Sequence, residues 1–151
     1  MERTASFSEY YTSIQFLSEC LEKYHKQKVV ILIDEYDVPL ENAYFNGFYE
    51  QMACFIRLLF ESALKTNESL KIAVVTGCLR ISGESIFTGL NNLKVVSVLD
   101  DSYAEYFGFT QDEVDSFFES YSITQRKEEV KSWYNGYVFG SIEVYNPWSV
   151  Y

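Results

Sequence analysis

Apolar and polar positions divide the first half of the chain into helical stretches and short, uninterrupted apolar runs. Ser6-Phe7-Ser8-Glu9 has the pattern of a capping box, and the apolar spacing behind it predicts a helix over about residues 6–26. Residues 29–33 are apolar on both faces, which is typical of a central parallel strand. Residues 38–42 are interpreted as a loop before a second helix. The predicted apolar stripe of that helix comprises Phe48, Met52, Phe55, Leu59 and Ala63.

A second apolar run, Leu70 to Thr76, predicts another strand. Strand, helix and strand in this order predict a right-handed βαβ unit, in which parallel pairing places Thr76 beside Asp34. A third run, residues 95–99, ends in Asp100-Asp101 and predicts a further parallel strand. The first part of the chain is therefore expected to be an α/β core.

The second half has a different pattern. Thr110-Gln111-Asp112-Glu113 is another capping box, and Thr124 is a candidate cap for a companion helix through Trp133. Asn135-Gly136 and Gly140 are turn signals around a short aromatic hairpin. The sequence thus predicts a core over residues 1–107 and a small helical, lid-like subdomain over residues 108–151. Because the chain stops one turn after the helix-start signal Asn146-Pro147, we expect the subdomain to be truncated.

Two acids, Asp34 and Glu35, follow the first apolar run directly, with Tyr36 and Asp37 after them. Open α/β sheets bind ligands at the carboxyl ends of their strands. At such an edge, a first acid can hold Mg²⁺ through water, and a second can orient or deprotonate the water that attacks a γ-phosphate. The alternative is a buried strand that ends in a solvated acidic loop, and these residues alone leave both interpretations open.

Composition limits the classes of protein to which the chain can belong. A 151-residue chain with 48% hydrophobic residues has enough apolar material for one packed domain. The formal net charge of −10 argues against direct binding of nucleic acid. Three widely spaced cysteines without a Cys-x-x-Cys pair predict neither a zinc site nor a disulfide framework. With no signal-like or membrane-spanning apolar stretch, the sequence predicts a cytoplasmic protein.

Several ordered blocks resemble the bacterial AAA-ATPase-like family, whose members often carry a PD-(D/E)XK nuclease-like domain behind the ATPase. The similarity spans about Val29 to the C-terminus, and several long blocks in order are more specific than one short motif. The blocks are Ile33-Asp34-Glu35-Tyr36-Asp37-Val38-Pro39-Leu40, Thr76-Gly77-Cys78-Leu79-Arg80-Ile81, Glu84-Ser85-Ile86-Phe87-Thr88-Gly89-Leu90-Asn91-Asn92, Glu105-Tyr106-Phe107-Gly108-Phe109-Thr110, Trp133-Tyr134-Asn135-Gly136-Tyr137 with Phe139-Gly140, and Val144-Tyr145-Asn146-Pro147-Trp148-Ser149-Val150.

The resemblance implies a P-loop NTPase fold that uses ATP and Mg²⁺. Asp34 and Glu35 would be the Walker B acids, with Asp34 holding Mg²⁺ through water and Glu35 acting on the attacking water. Thr76 would occupy the sensor position, where the alternative is a capped strand end. Arg80 could reach a phosphate with its planar fork, and the alternative for it is an ion pair with Glu84 or Asp37.

The sequence departs from the family pattern in one respect. A P-loop requires Gly-x-x-x-x-Gly-Lys-[Ser/Thr], and no such motif occurs here. In the family that loop lies well upstream of the Walker B strand, whereas 28 residues precede Val29. We therefore expect a partial P-loop-NTPase-like core, to which nucleotide binds if another segment or a protein partner supplies the loop.

Three functions compete at this point. The first is a piece of an ATPase that hydrolyses ATP in the complete form. The second is a nucleotide-free interaction module, or a degenerate remnant, that binds a second copy or a protein partner. Its candidate surface residues, most of which are interpreted as core, are Tyr44, Phe45, Phe48, Trp133, Tyr134 and Trp148. The third, a metal-dependent nuclease, is set aside because its one late candidate motif, residues 129–131, falls in a predicted helix.

Overall fold

In a computed structural model of the chain, residues 5–78, 86–87, 89–90, 93–123 and 126–147 are described. Their contacts divide the chain into two units, Met1–Leu93 and Lys94–Tyr151. The subdivision predicted from the sequence, residues 1–107 and 108–151, stays a prediction.

The described residues of the first unit form two strands, with helices before and between them. A five-residue segment in π-helical geometry, Glu61–Lys65, follows the last helix. The elements are α1 (Phe7–Tyr11), α2 (Ser13–His25), β1 (Val29–Ile33), α3 (Val38–Phe45), α4 (Tyr49–Phe60) and β2 (Leu70–Val75). The strands predicted from the first and second apolar runs therefore form at the expected places.

The helices differ from the prediction at two points. The Ser6–Glu9 capping box forms, but the first helix is divided at Thr12, whose hydroxyl donates to the Ser8 carbonyl oxygen at 2.8 Å. The loop predicted over residues 38–42 is wrong, because α3 begins at Val38 with Pro39 in its first turn. Proline has no N–H to donate, and the first turn of a helix is where that loss costs nothing.

The two strands of this unit pair in parallel, as predicted, with Val30 opposite Ile72 and Leu32 opposite Val74. Among the described residues β1 pairs with β2 alone, so the central position predicted for β1 is not seen. These four side chains share one face of the sheet and are exposed, with Leu32 74% accessible. Among the described residues, this face of the small sheet is therefore uncovered, and only the opposite face is packed.

The core of the unit lies on the other face. Leu40, Ala53, Ile56, Phe60 and Ile86 form a buried cluster against which Ile33 and Val75 pack. The helix thus buries Ala53, Ile56 and Phe60, whereas Phe48, the first residue of the predicted stripe, is exposed. The buried face of α4 therefore lies part of a turn away from the predicted stripe, of which Met52 and Phe55 pack at the margin of the cluster. Ala63, the last residue of that stripe, is fully buried as predicted.

The second unit is built on a hairpin and a capped helix. Its elements are a short 3₁₀ helix (Ala104–Tyr106), α5 (Gln111–Ser120), α6 (Lys127–Tyr134), β3 (Asn135–Phe139) and β4 (Ile142–Tyr145). The antiparallel hairpin β3–β4 turns at Gly140, whose φ of 55° explains the glycine. Val114 and Phe118 of α5 are buried with Tyr145, and Phe109 bridges to Tyr145. The cap predicted at Thr124 lies outside the described residues.

The strand predicted over residues 95–99 is wrong, since no strand forms there. The backbone N–H and the hydroxyl of Ser97 both donate to the Asp100 carboxylate, at 2.7 and 2.8 Å, and the Asp100 N–H donates back to the Ser97 carbonyl oxygen. This local turn ends the extended segment before it can pair. Val95, Val98 and Leu99 are exposed as a result.

Aromatic side chains that were interpreted mostly as core are exposed in both units. Tyr44, Phe45 and Phe48 are exposed around the end of α3, and Trp133 is exposed in α6. The side chain of Tyr134 and all of Trp148 lie outside the described residues. Burial preference therefore misplaced these residues, because it describes residue types on average and not a particular helix face.

Acid is expected to weaken the N-terminus of α5. The Thr110 N–H and hydroxyl donate to Glu113 Oε2 at 2.8 and 2.9 Å. Both bonds lower the pKa of Glu113, and the bond from the backbone N–H has the larger effect. A pKa lower in the folded than in the unfolded chain gives stability that is present above the unfolded pKa and is lost as pH falls through the folded pKa.

Carboxyl ¹³C NMR measures this effect. We expect Glu113 to titrate below the ordinary range, and the pKa in Thr110→Ala to move part of the way back, because the backbone bond remains. Ser120→Ala, which changes another hydroxyl of α5, is the matched control and should leave the titration unchanged. An ordinary Glu113 titration in the parent chain would contradict the prediction.

The fold is thus a mixed α/β structure with a small parallel sheet and flanking helices in the first unit. Among the described residues, no helix combines the length and the apolar character that crossing a membrane requires.

Candidate functional site

The carboxyl ends of β1 and β2 bring Asp34 and Thr76 together. The Thr76 N–H donates to the Ile33 carbonyl oxygen at 2.8 Å, and the Tyr36 N–H donates to the Thr76 carbonyl oxygen at 3.1 Å. These bonds extend the parallel ladder past the last strand residues. The Thr76 hydroxyl donates to Asp34 Oδ1. The two residues are therefore direct partners at this edge, as the parallel pairing predicts.

The Asp34 carboxylate is exposed, and its hydrogen bonds converge on one oxygen. Oδ1 accepts from the Glu35 N–H at 3.0 Å and from the Thr76 hydroxyl. Within the described ranges no donor is found on Oδ2. Magnesium keeps several waters and takes one or two carboxylates together with substrate phosphates, so a single exposed carboxylate oxygen fits water-mediated binding of Mg²⁺.

Glu35 stands in an unusual backbone conformation. Its φ is 53°, in the left-handed region, and the Val38 N–H donates to its carbonyl oxygen at 3.1 Å, which closes a tight turn. For a residue with a side chain this conformation costs about 1–2 kcal/mol. The Glu35 side chain is exposed beyond the end of β1. Backbone strain of this kind is concentrated at functional sites. The strained backbone at Glu35 therefore supports a functional role for this residue more strongly than its carboxylate alone does.

Asp37 is part of the same edge, although the sequence assigned it no role of its own at the site. The residue is 6% exposed, and its Oδ2 accepts from the Cys78 N–H at 3.1 Å. Pro39 in the first turn of α3 could have marked Asp37 as the residue at the helix start. No local signal in the sequence points to its bond with Cys78, 41 residues away.

Aromatic rings pack against the acidic loop, residues 34–37, through Tyr36. The Tyr36 ring lies 5.2 Å from that of Phe87 and 6.4 Å from that of Phe60, in edge-to-face geometry, and Phe60 and Phe87 stack at 5.9 Å. Such pairs add about 0.5–1.5 kcal/mol each beyond their burial. The acidic loop is therefore held on the core by Tyr36, in the middle of the acidic segment.

Arg80 lies outside the described residues, so its predicted contacts with a phosphate, Glu84 or Asp37 stay predictions. Within the described part of the chain, no group of three or more His, Cys, Asp or Glu residues is arranged to enclose a metal ion. A cation at the described site would therefore take most of its ligands from water and substrate, with Asp34 as the candidate carboxylate.

Comparison with known proteins places this edge in a family. The chain belongs to the AAA-ATPase-like family, described as predicted AAA-ATPases, whose model matches residues 2–87 and so includes Asp34, Glu35 and Thr76. The family identified from the sequence is thereby confirmed, although the match begins before Val29 and the resembling blocks after residue 92 lie outside it. The association with a nuclease-like domain stays a prediction.

One curated relative is an "Uncharacterized protein in vnfD 5'region" from Azotobacter chroococcum mcd 1. It is 33% identical over 125 residues, which cover 82% of this chain. The chain spans 24% of the length of that relative. No solved structure matches the chain significantly.

Proposed function

We propose that residues 29–78 form the acidic edge of an ATP-hydrolysing site of P-loop type, which functions with Mg²⁺ in a complete, cytoplasmic protein. The observation that carries the proposal is the Asp34–Thr76 hydrogen bond at the carboxyl ends of two paired parallel strands. Open α/β sheets bind ligands at this edge, and the matching family is described as predicted AAA-ATPases.

In this proposal each residue has one task. Asp34 holds Mg²⁺ through water with Oδ2, while its Oδ1 stays bonded to the Thr76 hydroxyl. The ion, when bound, neutralises charge on the phosphates of ATP. Glu35 orients the attacking water and accepts its proton, for which its exposed position past the strand is suited. Thr76 holds the Asp34 carboxylate through this bond, and its hydroxyl oxygen accepts a hydrogen bond from the attacking water. Arg80 binds a phosphate oxygen.

The proposal requires phosphate contacts that the sequence does not contain. A glycine-rich loop supplies most contacts to a nucleotide phosphate chain, and no Gly-x-x-x-x-Gly-Lys-[Ser/Thr] occurs among the 151 residues. We therefore include in the proposal a loop supplied by another part of a longer protein or by a partner chain, including a second copy. On its own the chain is expected to bind Mg·ATP poorly.

Calorimetric titration tests this function. In a longer family member that carries this segment, we expect Mg²⁺-dependent ATP binding that weakens about tenfold in Asp34→Ala, because one charge-assisted contact is lost. Glu41→Ala is the matched control, since it removes an exposed acid of α3 in the same unit.

Equal binding by the parent and by Asp34→Ala would contradict the assigned role of Asp34. Micromolar, Mg²⁺-dependent binding by the 151-residue chain alone, lost in Asp34→Ala, would overturn the requirement for a supplied loop.

A second candidate function is a nucleotide-free interaction module. The observation that favours it is the exposure of Tyr44, Phe45 and Trp133, because large aromatic side chains are enriched at protein interfaces. The titration separates the two candidates. A folded longer protein that binds no ATP would favour the interaction module.

A further inference from the structure

Asp37 is a buried carboxylate that its own helix does not use. It precedes α3 as the N-cap residue, yet its side chain makes no hydrogen bond to the first turn. An Asp that caps its helix contributes about 1 kcal/mol. Here Oδ2 instead accepts from the Cys78 N–H, 41 residues away in sequence, at 3.1 Å. The local bond has been replaced by one that connects the loop after β1 to the loop after β2.

The segment after β2 is pressed closely against this carboxylate. A Cβ on Gly77 would lie 2.7 Å from Asp37 Oδ1 and 2.6 Å from Tyr36 Cε1. Real Cβ atoms essentially never come so close to other heavy atoms. Gly77 is therefore required by the approach of Asp37 and Tyr36, and the two carboxylate oxygens face consecutive residues, Gly77 and Cys78.

Thr76 lies between two fixed points as a consequence. On one side the ladder bond from its N–H to Ile33 holds it, and on the other side Asp37 holds the N–H of Cys78. The Thr76 carbonyl oxygen also accepts from Tyr36. With the backbone fixed before and after it, the Thr76 side chain is directed at Asp34, where its hydroxyl donates to Oδ1.

We propose that Asp37 is a positioning residue, which clamps the Gly77–Cys78 backbone so that the Thr76 hydroxyl stays on Asp34. The geometric part stands on the contacts above, and its consequence for catalysis rests on the proposed ATPase function. Asp37 itself is buried, and in this scheme it acts on the reacting groups through Thr76. Its loss acts through Thr76.

Two substitutions separate the clamp from the helix start. Asp37→Ser keeps a good N-cap residue for α3 but has a side chain too short to reach Cys78. Asp37→Asn keeps the length and one accepting oxygen, so the clamp should persist. Ser62→Ala is the matched control, because Ser62 is also buried and its hydroxyl donates to Gln15 at 2.7 Å over a long sequence separation. Ser62 lies before β2, away from the site at the carboxyl end of that strand.

In the 151-residue chain, NMR reports the clamp directly. We expect Asp37→Ser to shift the amide and methyl signals of Thr76 and to speed hydrogen exchange of the Cys78 amide about tenfold, as the loss of one hydrogen bond to a charged acceptor implies. Asp37→Asn should stay within about threefold of the parent. Unchanged Thr76 signals in Asp37→Ser, or equal shifts in Ser62→Ala, would overturn the proposal.

Turnover by a longer family member tests the catalytic consequence. Asp37→Ser should lower kcat about tenfold while KM for ATP stays within about twofold, and Asp37→Asn should restore kcat. If Glu35→Gln abolishes turnover but Asp37→Ser does not lower it, the positioning role is wrong and the ATPase function stands. If Glu35→Gln leaves turnover unchanged, only the role of Glu35 as a base is wrong. If the parent protein turns over no ATP, the ATPase function is wrong, and the Thr76 signals still decide whether Asp37 clamps the loop.

Discussion

Replacing Phe60 with alanine is expected to lower the free energy of unfolding of the first unit by about 4 kcal/mol. Phe60 is 2% exposed and lies in the cluster with Leu40 and Ile56. Its ring also stacks on Phe87 and meets the edge of Tyr36. The substitution removes buried apolar surface and leaves a cavity whose walls belong to α3, α4 and the acidic loop, so relaxation can close it only in part.

Urea unfolding followed by far-UV circular dichroism measures the loss. Phe16→Ala is the matched control, because it makes the same chemical change at an exposed position of α2 and should cost less than about 1 kcal/mol. Comparable losses for the two variants would mean that Phe60 is not at the centre of the core. Because Tyr36 rests on Phe60, the Phe60→Ala variant should also broaden the NMR signals of the acidic loop.

Replacing Glu35 with glutamine is expected to lower ATP turnover by a longer family member about 100-fold. Glutamine has nearly the same shape, but its amide cannot accept a proton from the attacking water. The side chain is exposed, so the substitution buries no new polar group and the free energy of unfolding should stay within about 0.5 kcal/mol of the parent. Mg·ATP binding should persist, because Asp34 is unchanged.

Steady-state phosphate release measures this effect, with calorimetric binding of Mg·ATP recorded on the same preparations. Glu41→Gln provides the control, since it makes the same chemical change at an exposed acid of α3, the helix that follows Glu35. Turnover by Glu35→Gln at the parental rate would rule out the role of Glu35 as a base. A loss of turnover together with a loss of binding would instead indicate damage to the turn that the left-handed Glu35 backbone closes.

Local signals in the sequence were sufficient for much of the fold. The capping boxes at Ser6 and Thr110 form as predicted, because their donors and acceptors lie within four residues of one another. The pairing of β1 with β2 follows from the βαβ order. Asp34 and Thr76 meet for the same reason, since parallel strands end at a common edge.

Predictions that depended on competing local bonds or on tertiary context were less successful. The segment after Val95 has strand-like composition, but the Ser97–Asp100 turn ends it. Residues 38–42 resemble a loop until Pro39 is placed in the first turn of a helix. The role of Asp37 depends on a partner 41 residues away, and no short-range pattern contains that information. The left-handed backbone of Glu35 is equally invisible to residue type.

The parallel pairing of β1 and β2 also bears on the order in which the chain folds. Both α3 and α4 lie in the sequence between Val30 and its partner Ile72. Pairing of the two strands must therefore close a long loop, which costs conformational entropy before the strand contacts form. The hairpin of β3 and β4 needs only the turn at Gly140 and closes locally. We therefore expect the hairpin to form on a timescale of about microseconds and the parallel pair to be the late, rate-limiting event. The edge that carries Asp34 and Thr76 would then be among the last parts of the molecule to be assembled.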